Sequence, residues 1–165
     1  MNKLPDLALP SAGFFENKTD GKHKVFDIVR KKYVVLTPEE WVRQHMIHFL
    51  VNYKSVPVSL MVIEKTFKLE RLQKRFDIAV YSRQGDPVLL VECKAPHVQL
   101  SQSVIDQALR YNMKLHVKYL LVTNGMKHAG YFVDYQQNKL EALNELPVYE
   151  QLISDIPSGY NVNKS

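Results

Sequence analysis

The chain has 165 residues, a length typical of one domain and sufficient for a hydrophobic core without disulfide bonds. Its net charge of +5 is a mild bias toward polyanionic partners such as nucleic acid, although many soluble proteins carry a similar charge. Cys93 is the only cysteine, which excludes an internal disulfide and favours a reducing, cytoplasmic compartment. Since no run of about 18 apolar residues and no signal-peptide pattern is present, we expect neither membrane insertion nor secretion.

The N-terminal third predicts an irregular start, two strands and a helix. Residues 1–20 lack a clear hydrophobic period and are expected to be irregular. Segments 25–29 and 33–36 are rich in β-formers and predict a pair of strands around the basic turn Arg30-Lys31-Lys32. The sequence Thr37-Pro38-Glu39-Glu40 is a strong helix start, and apolar residues then recur at helical spacing to about residue 53.

The remaining segments predict a mixed sheet. Residues 60–67 form a plausible strand, Lys68 to Lys74 a basic linker, and 75–81 with 88–94 the arms of a β-hairpin. A second helix from about Ser101 to residue 113 precedes strands at 117–123 and 131–135 and a short helix near 149–153. A helix between two strands suits a parallel crossover, so we expect an α/β fold, a mixed central β-sheet flanked by helices. We expect one domain over residues 1–165, with 155–165 as a flexible tail.

Three charged residues interrupt the two apolar arms of this hairpin: Asp77, Glu92 and Lys94. Strand interiors disfavour such residues. With a two-residue turn at Gln84-Gly85, Ala79 faces Leu90 and Asp77 faces Glu92. Opposed carboxylates repel each other, and a bound Mg²⁺ would offset that repulsion. The alternative is a solvated or salt-bridged pair at a sheet edge, and a one-residue register slip would undo the pairing.

The spacing of Asp77 and Glu92-Cys93-Lys94 resembles the PD-(D/E)xK nuclease signature, with Phe76 in place of the proline that names the motif. A longer pattern looks like the N-terminal nuclease domain of type I restriction-enzyme R subunits. It comprises residues 37–43, 90–96, 106–112 and 119–125. The resemblance extends over roughly residues 35–135 and implies a restriction-endonuclease-like fold.

The resemblance also implies roles for individual residues. Asp77 and Glu92 would bind Mg²⁺, for which Mn²⁺ can substitute, with the Cys93 carbonyl as a third ligand, and Lys94 would be the catalytic lysine. The acidic residue contributed by the first helix would be Glu40. On the second helix, Gln107 and Tyr111 match the Gln-x-x-x-Tyr pair of the family, which contacts DNA or orders the site.

Each of these roles has an alternative. Glu40 stands at the third helical position and could instead bond the N-cap amide. Gln107 and Tyr111 could belong to a solvated polar face, and Lys94 could form a structural ion pair. The basic clusters Arg30-Lys31-Lys32 and Lys68 to Lys74 could contact phosphates or be ordinary solvated turns.

We therefore predict a Mg²⁺-dependent endonuclease domain that acts on DNA, with a separate motor or restriction-modification subunit as an expected partner. The second hypothesis is a non-catalytic DNA- or partner-binding module that retains the fold. A third is a repair or junction nuclease of the same superfamily.

Overall fold

A computed structural model describes residues 4–154, which form a small antiparallel sheet followed by a larger mixed sheet with helices on its faces. The small sheet contains β1 (Glu16–Thr19), β2 (Lys22–Asp27) and β3 (Lys32–Val35). Part of the segment predicted to be irregular is thus a strand, because the left-handed Asp20 and Gly21 form a tight turn that pairs β1 with β2. The predicted tail, 155–165, lies outside the described residues.

Helix α1 (Pro38–Lys54) begins where the sequence predicts. The Thr37 hydroxyl accepts a hydrogen bond from the Glu40 amide at 3.1 Å, so Thr37 is the N-cap. The helix ends at Ser55, which adopts a left-handed conformation and donates its backbone N–H to the Leu50 carbonyl. A short 3₁₀ turn, Val58–Leu60, then leads into the main sheet.

The main sheet has six strands in sequential order. They are β4 (Met61–Leu69), β5 (Leu72–Tyr81), β6 (Pro87–Cys93), β7 (Tyr119–Thr123), β8 (His128–Asp134) and β9 (Lys139–Leu143). Only β6 and β7 pair in parallel, and α2 (Gln102–Lys114) connects them, which confirms the predicted crossover and the mixed sheet. Helix α3 (Tyr149–Leu152) follows β9.

Three details differ from the predictions. The supposed basic linker is the tip of a β4–β5 hairpin, in which Leu69 pairs with Leu72 around a turn at Glu70-Arg71. Strand β9 was not predicted, because it is short and almost entirely exposed, and its Lys, Leu, Glu and Ala residues favour helices over strands. Lys94 lies one residue beyond β6, although its backbone N–H still bonds to the Thr123 carbonyl at 2.8 Å.

The register of β5 and β6 agrees with the prediction within the strands, where Ala79 pairs with Leu90. Near the turn, the register shifts by one residue, so that Tyr81 rather than Ser82 pairs with Pro87. The turn is therefore longer than the two-residue turn expected, and an irregularity after Val80 absorbs the difference. The pairs Ile78–Val91 and Ala79–Leu90, which lie on the far side of this irregularity, keep the predicted register.

Apolar side chains cover both faces of the main sheet. Helix α1 packs Met46, Ile47 and Leu50 against one face, in a cluster that also holds the buried Cys93. Helix α2 packs Ile105 and Ala108, among others, against the opposite face. Within residues 4–154, none of the helices combines the length and the apolar character that a membrane span requires.

Candidate active site

The β5–β6 hairpin brings Asp77 against the segment that carries Glu92. Asp77 Oδ2 accepts a hydrogen bond from the backbone N–H of Cys93 at 2.6 Å. The paired residues next to this point are Ile78 and Val91, so the observed register continues toward Asp77 and Glu92. The Asp77 side chain therefore contacts the backbone next to Glu92, and the direct pairing of Asp77 with Glu92 stays a prediction.

The sheet is irregular at the same point. In the β4–β5 pairing on the other side of Asp77, Ile63 pairs with Ile78 and Lys65 pairs with Phe76. Glu64, between Ile63 and Lys65, has a φ of 55°. A left-handed residue inside a strand is uncommon and costs conformational energy unless the surroundings hold it. Asp77 therefore lies at a break in the β4–β5 pairing, between Phe76 and Ile78, which are both paired.

Two lysines share one oxygen of Glu92. The Nζ atoms of Lys74 and Lys94 each lie 3.1 Å from Glu92 Oε1. Burial disfavours the charged form of Lys94, but the nearby carboxylates, Glu92 first, outweigh that effect and raise the pKa of Lys94. Lys94 is therefore a persistent cation at neutral pH. Lys74 is a site residue that sequence reasoning missed, since it was grouped with the supposed basic linker.

Arg43 is the second residue that was missed. Its guanidinium contacts Asp77 Oδ1 through Nη2 at 2.5 Å and through Nε at 3.1 Å, and Nη1 donates to Glu40 Oε2. Burial disfavours the charge on Arg43, yet the attraction of Asp77 and Glu40 raises its pKa. The planar guanidinium can serve two carboxylates at once, which an ammonium could not do with the same geometry. Arg43 therefore orients Asp77.

Glu40 faces the small sheet. Its oxygens accept from Arg30 Nη2 at 2.6 Å and from Gln44 Nε2 at 2.8 Å, as well as from Arg43. The carboxylate is therefore engaged by two arginines, and Thr37 alone provides the N-terminal cap seen in the structure.

On α1, Glu39 is an acidic residue whose pKa is affected by the charges of Asp77 and Glu92. Burial, followed by the proximity of the Asp77 charge, raises the pKa of Glu39, and Lys94 and Glu92 also act on it. Adjacent helical residues differ by about 100° in direction, so the two consecutive glutamates point to different surroundings. The role expected of Glu40 at the metal site therefore stays a prediction, and its observed partners are Arg30, Arg43 and Gln44.

Gln107 and Tyr111 lie on one side of α2, next to the β4–β5 hairpin. The Tyr111 ring centroid is 5.7 Å from Lys74 Nζ, which in turn contacts Glu92, so Tyr111 lies one side chain away from the carboxylates. Gln107 lines a cavity together with Tyr111. The structure thus connects Tyr111 to Glu92 through Lys74 and places Gln107 with Tyr111 in the lining of this cavity.

The donor set fits a hard divalent cation. Glu92 Oε2 is buried and has no hydrogen-bond partner, which is the condition expected of an oxygen that binds a cation. Burial and then the nearby Asp77 charge raise the pKa of the Cys93 thiol, so only the backbone carbonyl of Cys93 remains a candidate ligand. Within residues 4–154, no three His, Cys, Asp or Glu side chains cluster as a metal site, so the side-chain ligands would be two carboxylates. Mg²⁺ commonly binds to one or two carboxylates and retains waters.

Residues 38–147 match the family model described as type I restriction enzyme R protein N terminus (HSDR_N), which confirms the resemblance inferred from the motifs. Among solved structures, the fragment structure of a putative HsdR subunit of a type I restriction enzyme from Vibrio vulnificus YJ016 is similar, at 25% identity and a TM-score of 0.41. The similarity covers 62% of this chain and 21% of that chain, so this chain matches about a fifth of that relative's length. No curated protein matches the chain.

Proposed function

The chain belongs to the family of type I restriction enzyme R protein N termini, and from this premise we propose that it is a metal-dependent endonuclease domain that hydrolyses DNA phosphodiester bonds. The observation that carries the proposal is the Glu92 carboxylate, which is buried beside Asp77 with its Oε2 atom unpartnered. A purely structural ion pair gains nothing from an unpaired buried oxygen, whereas a cation-binding carboxylate requires one.

Mg²⁺, or Mn²⁺ in its place, would be held by Asp77, Glu92 and the Cys93 carbonyl. Such an ion activates water and neutralises charge on a phosphate. Asp77 is oriented by Arg43 on one oxygen and by the Cys93 N–H on the other, so its carboxylate keeps one direction.

The two lysines provide the positive charge. The Glu92 carboxylate holds the Lys94 and Lys74 ammonium groups side by side, each 3.1 Å from Oε1. We assign to Lys94 the positioning of the attacking water and the stabilisation of charge on the phosphate oxygens. Lys74, which also contacts the Tyr111 ring, would bind the same phosphate group or the next one.

Substrate and partners follow from the family. We propose DNA as the substrate, in the cytoplasm, with a separate motor or restriction-modification subunit delivering it, because the family is that of a restriction-enzyme subunit. The net charge of +5 favours a polyanionic substrate.

The test is a plasmid-nicking assay with and without Mg²⁺. We expect Lys94→Ala to reduce the nicking rate by about 10²–10³-fold, the usual effect of removing one charge-stabilising donor, and Asp77→Asn to reduce it at least as much. Lys139→Ala and Asp86→Asn are matched controls, because both residues are exposed and outside the site. Undiminished nicking by either site variant, with an unchanged melting temperature, would refute the assignment.

The Arg43–Asp77 contact favours a second candidate, a non-catalytic DNA- or partner-binding module. A guanidinium at 2.5 Å already neutralises Asp77 and reduces its need for a metal ion. Calorimetric titration with Mg²⁺ and Mn²⁺ separates the two candidates. The endonuclease requires a saturable metal site that Glu92→Gln abolishes, and the binding module does not.

A further inference from the structure

Two adjoining cavities lie between the tip of the β4–β5 hairpin and α2. The first, about 150 Å³, is lined by Leu72, Gln107, Arg110, Tyr111 and Lys114, and the second, about 460 Å³, by Leu69, Glu70, Arg71, Leu72 and Lys114. Because Leu72 and Lys114 line both, the cavities form one continuous depression, which we call the hairpin–α2 cleft.

Cations dominate the lining of this cleft. Arg71, Arg110 and Lys114 are exposed, against Glu70 as the single lining carboxylate. Arg110 Nε contacts only a backbone carbonyl, that of Asp106, at 3.4 Å, so the described contacts leave its charge without a carboxylate partner. Three cations in one depression repel each other and favour a polyanion between them.

The cleft is continuous with the candidate active site. Tyr111 lines the cleft, and its ring lies 5.7 Å from Lys74 Nζ, which contacts Glu92 Oε1 at 3.1 Å. From Gln107 to Lys114 the helix rises by about 10 Å, a length that extends past more than one phosphate of a DNA strand. A strand whose scissile phosphate lies at Glu92 would therefore have its next phosphates beside the cleft.

We propose that the hairpin–α2 cleft binds the backbone phosphates of the DNA strand next to the scissile phosphate, through Arg71, Arg110 and Lys114. This inference rests on the proposed function, since it places the cut strand at Asp77 and Glu92. The cleft contacts phosphates rather than base edges, so it supplies affinity and direction without sequence preference. The exposed Leu69 and the Tyr111 ring offer apolar surface to the sugars between phosphates.

The first experiment measures binding of a fluorescein-labelled duplex by anisotropy in EDTA over a range of salt concentrations. Each phosphate contact contributes about −0.9 to the slope of log K against log salt. We expect the triple variant Arg71→Gln, Arg110→Gln, Lys114→Gln to lose about 2–3 units of slope and to bind at least about tenfold more weakly at low salt. The control triple variant Lys18→Gln, Lys22→Gln, Lys139→Gln removes the same charge from exposed positions elsewhere and should change the slope by less than about one unit.

A second measurement does not depend on the triple variant folding. Since Cys93 is buried and is the only cysteine, Lys114→Cys creates a single accessible thiol. It should crosslink to DNA that carries a bromoacetamide group on a backbone phosphorothioate, and Lys139→Cys should not.

Wild-type nicking with Mg²⁺, measured in parallel, separates the two proposals. Nicking with an unchanged salt slope and no Lys114→Cys crosslink overturns the cleft alone. Binding and crosslinking without nicking supports the cleft and overturns the endonuclease.

Discussion

Replacement of Arg43 by methionine tests whether the ion pairs around Asp77 are essential to this fold. The Arg43 side chain is 6% exposed, and its partners Glu40 and Asp77 are 9% and 12% exposed. Removing one member of a buried pair costs about 3–5 kcal/mol, because the remaining charges stay desolvated without compensation. We therefore expect Arg43→Met to lower the free energy of unfolding by about 3–5 kcal/mol at neutral pH, even though methionine fills most of the volume.

The loss should be large enough to measure by two methods. A chain of this size changes its melting temperature by about 2–4 °C per kcal/mol, so Arg43→Met should melt roughly 6–20 °C lower than wild type. Urea denaturation gives the free energy of unfolding directly, provided that the slope with denaturant stays unchanged. Added Mg²⁺ should restore part of the loss, because a cation bound to the native carboxylates stabilises only the folded state.

Arg83 provides the matched control. It donates two hydrogen bonds to Glu150, but both side chains are more than half exposed, so Arg83→Met should have a far smaller effect. Arg43→Lys should be intermediate, since an ammonium keeps the charge but cannot bridge Glu40 and Asp77 as the planar guanidinium does. If Arg43→Met cost less than about 1 kcal/mol, as exposed pairs do, our view of this network would be incorrect.

Two further predictions concern stability away from the site. Gly125→Ala should lower the free energy of unfolding, measured by urea denaturation, by more than about 1 kcal/mol, because φ is +81° and a Cβ would lie 2.9 Å from Leu7 Cδ2. Gly85→Ala is the control: its φ is also positive, but an added Cβ would meet no atom within 4 Å, so the loss should be smaller. Burial raises the pKa of Tyr135 to about 12, so its phenol stabilises the fold fully below its unfolded pKa near 10 and the contribution is lost as pH rises toward 12. Melting curves from pH 9 to 12 should therefore fall less steeply for Tyr135→Phe than for wild type, and parallel curves would contradict the assignment.

The main elements were predictable because each carries a local signal. Thr37-Pro38 begins α1, and the paired apolar runs before and after Gln84-Gly85 form β5 and β6. The pairing of Ala79 with Leu90 was predictable for the same reason, since the register follows from the two apolar runs. The incorrect turn length did not matter, because an irregularity after Val80 restored that register.

The missed site residues depend on tertiary contacts that no local pattern reveals. Arg43 reaches Asp77 across 34 positions of sequence, and Lys74 reaches Glu92 from the neighbouring strand. Lys74 looked like part of a basic linker because lysine at a hairpin end is usually solvated. Its ammonium instead lies over the Phe76 and Tyr111 rings and beside the buried Glu92 carboxylate.

Ion pairs connect the small N-terminal sheet to the candidate site, although the family model matches only residues 38–147. Arg30, from the turn between β2 and β3, bonds Asp27 at 2.7 Å and Glu40 at 2.6 Å. Glu40 contacts Arg43, and Arg43 contacts Asp77, so cations and carboxylates alternate from the small sheet to the candidate metal ligand. Without Arg30, Glu40 would keep Arg43 as its arginine partner, and Glu40 and Asp77 would share that one guanidinium. The chain of ion pairs that reaches Asp77 therefore begins at Asp27, outside the matched range.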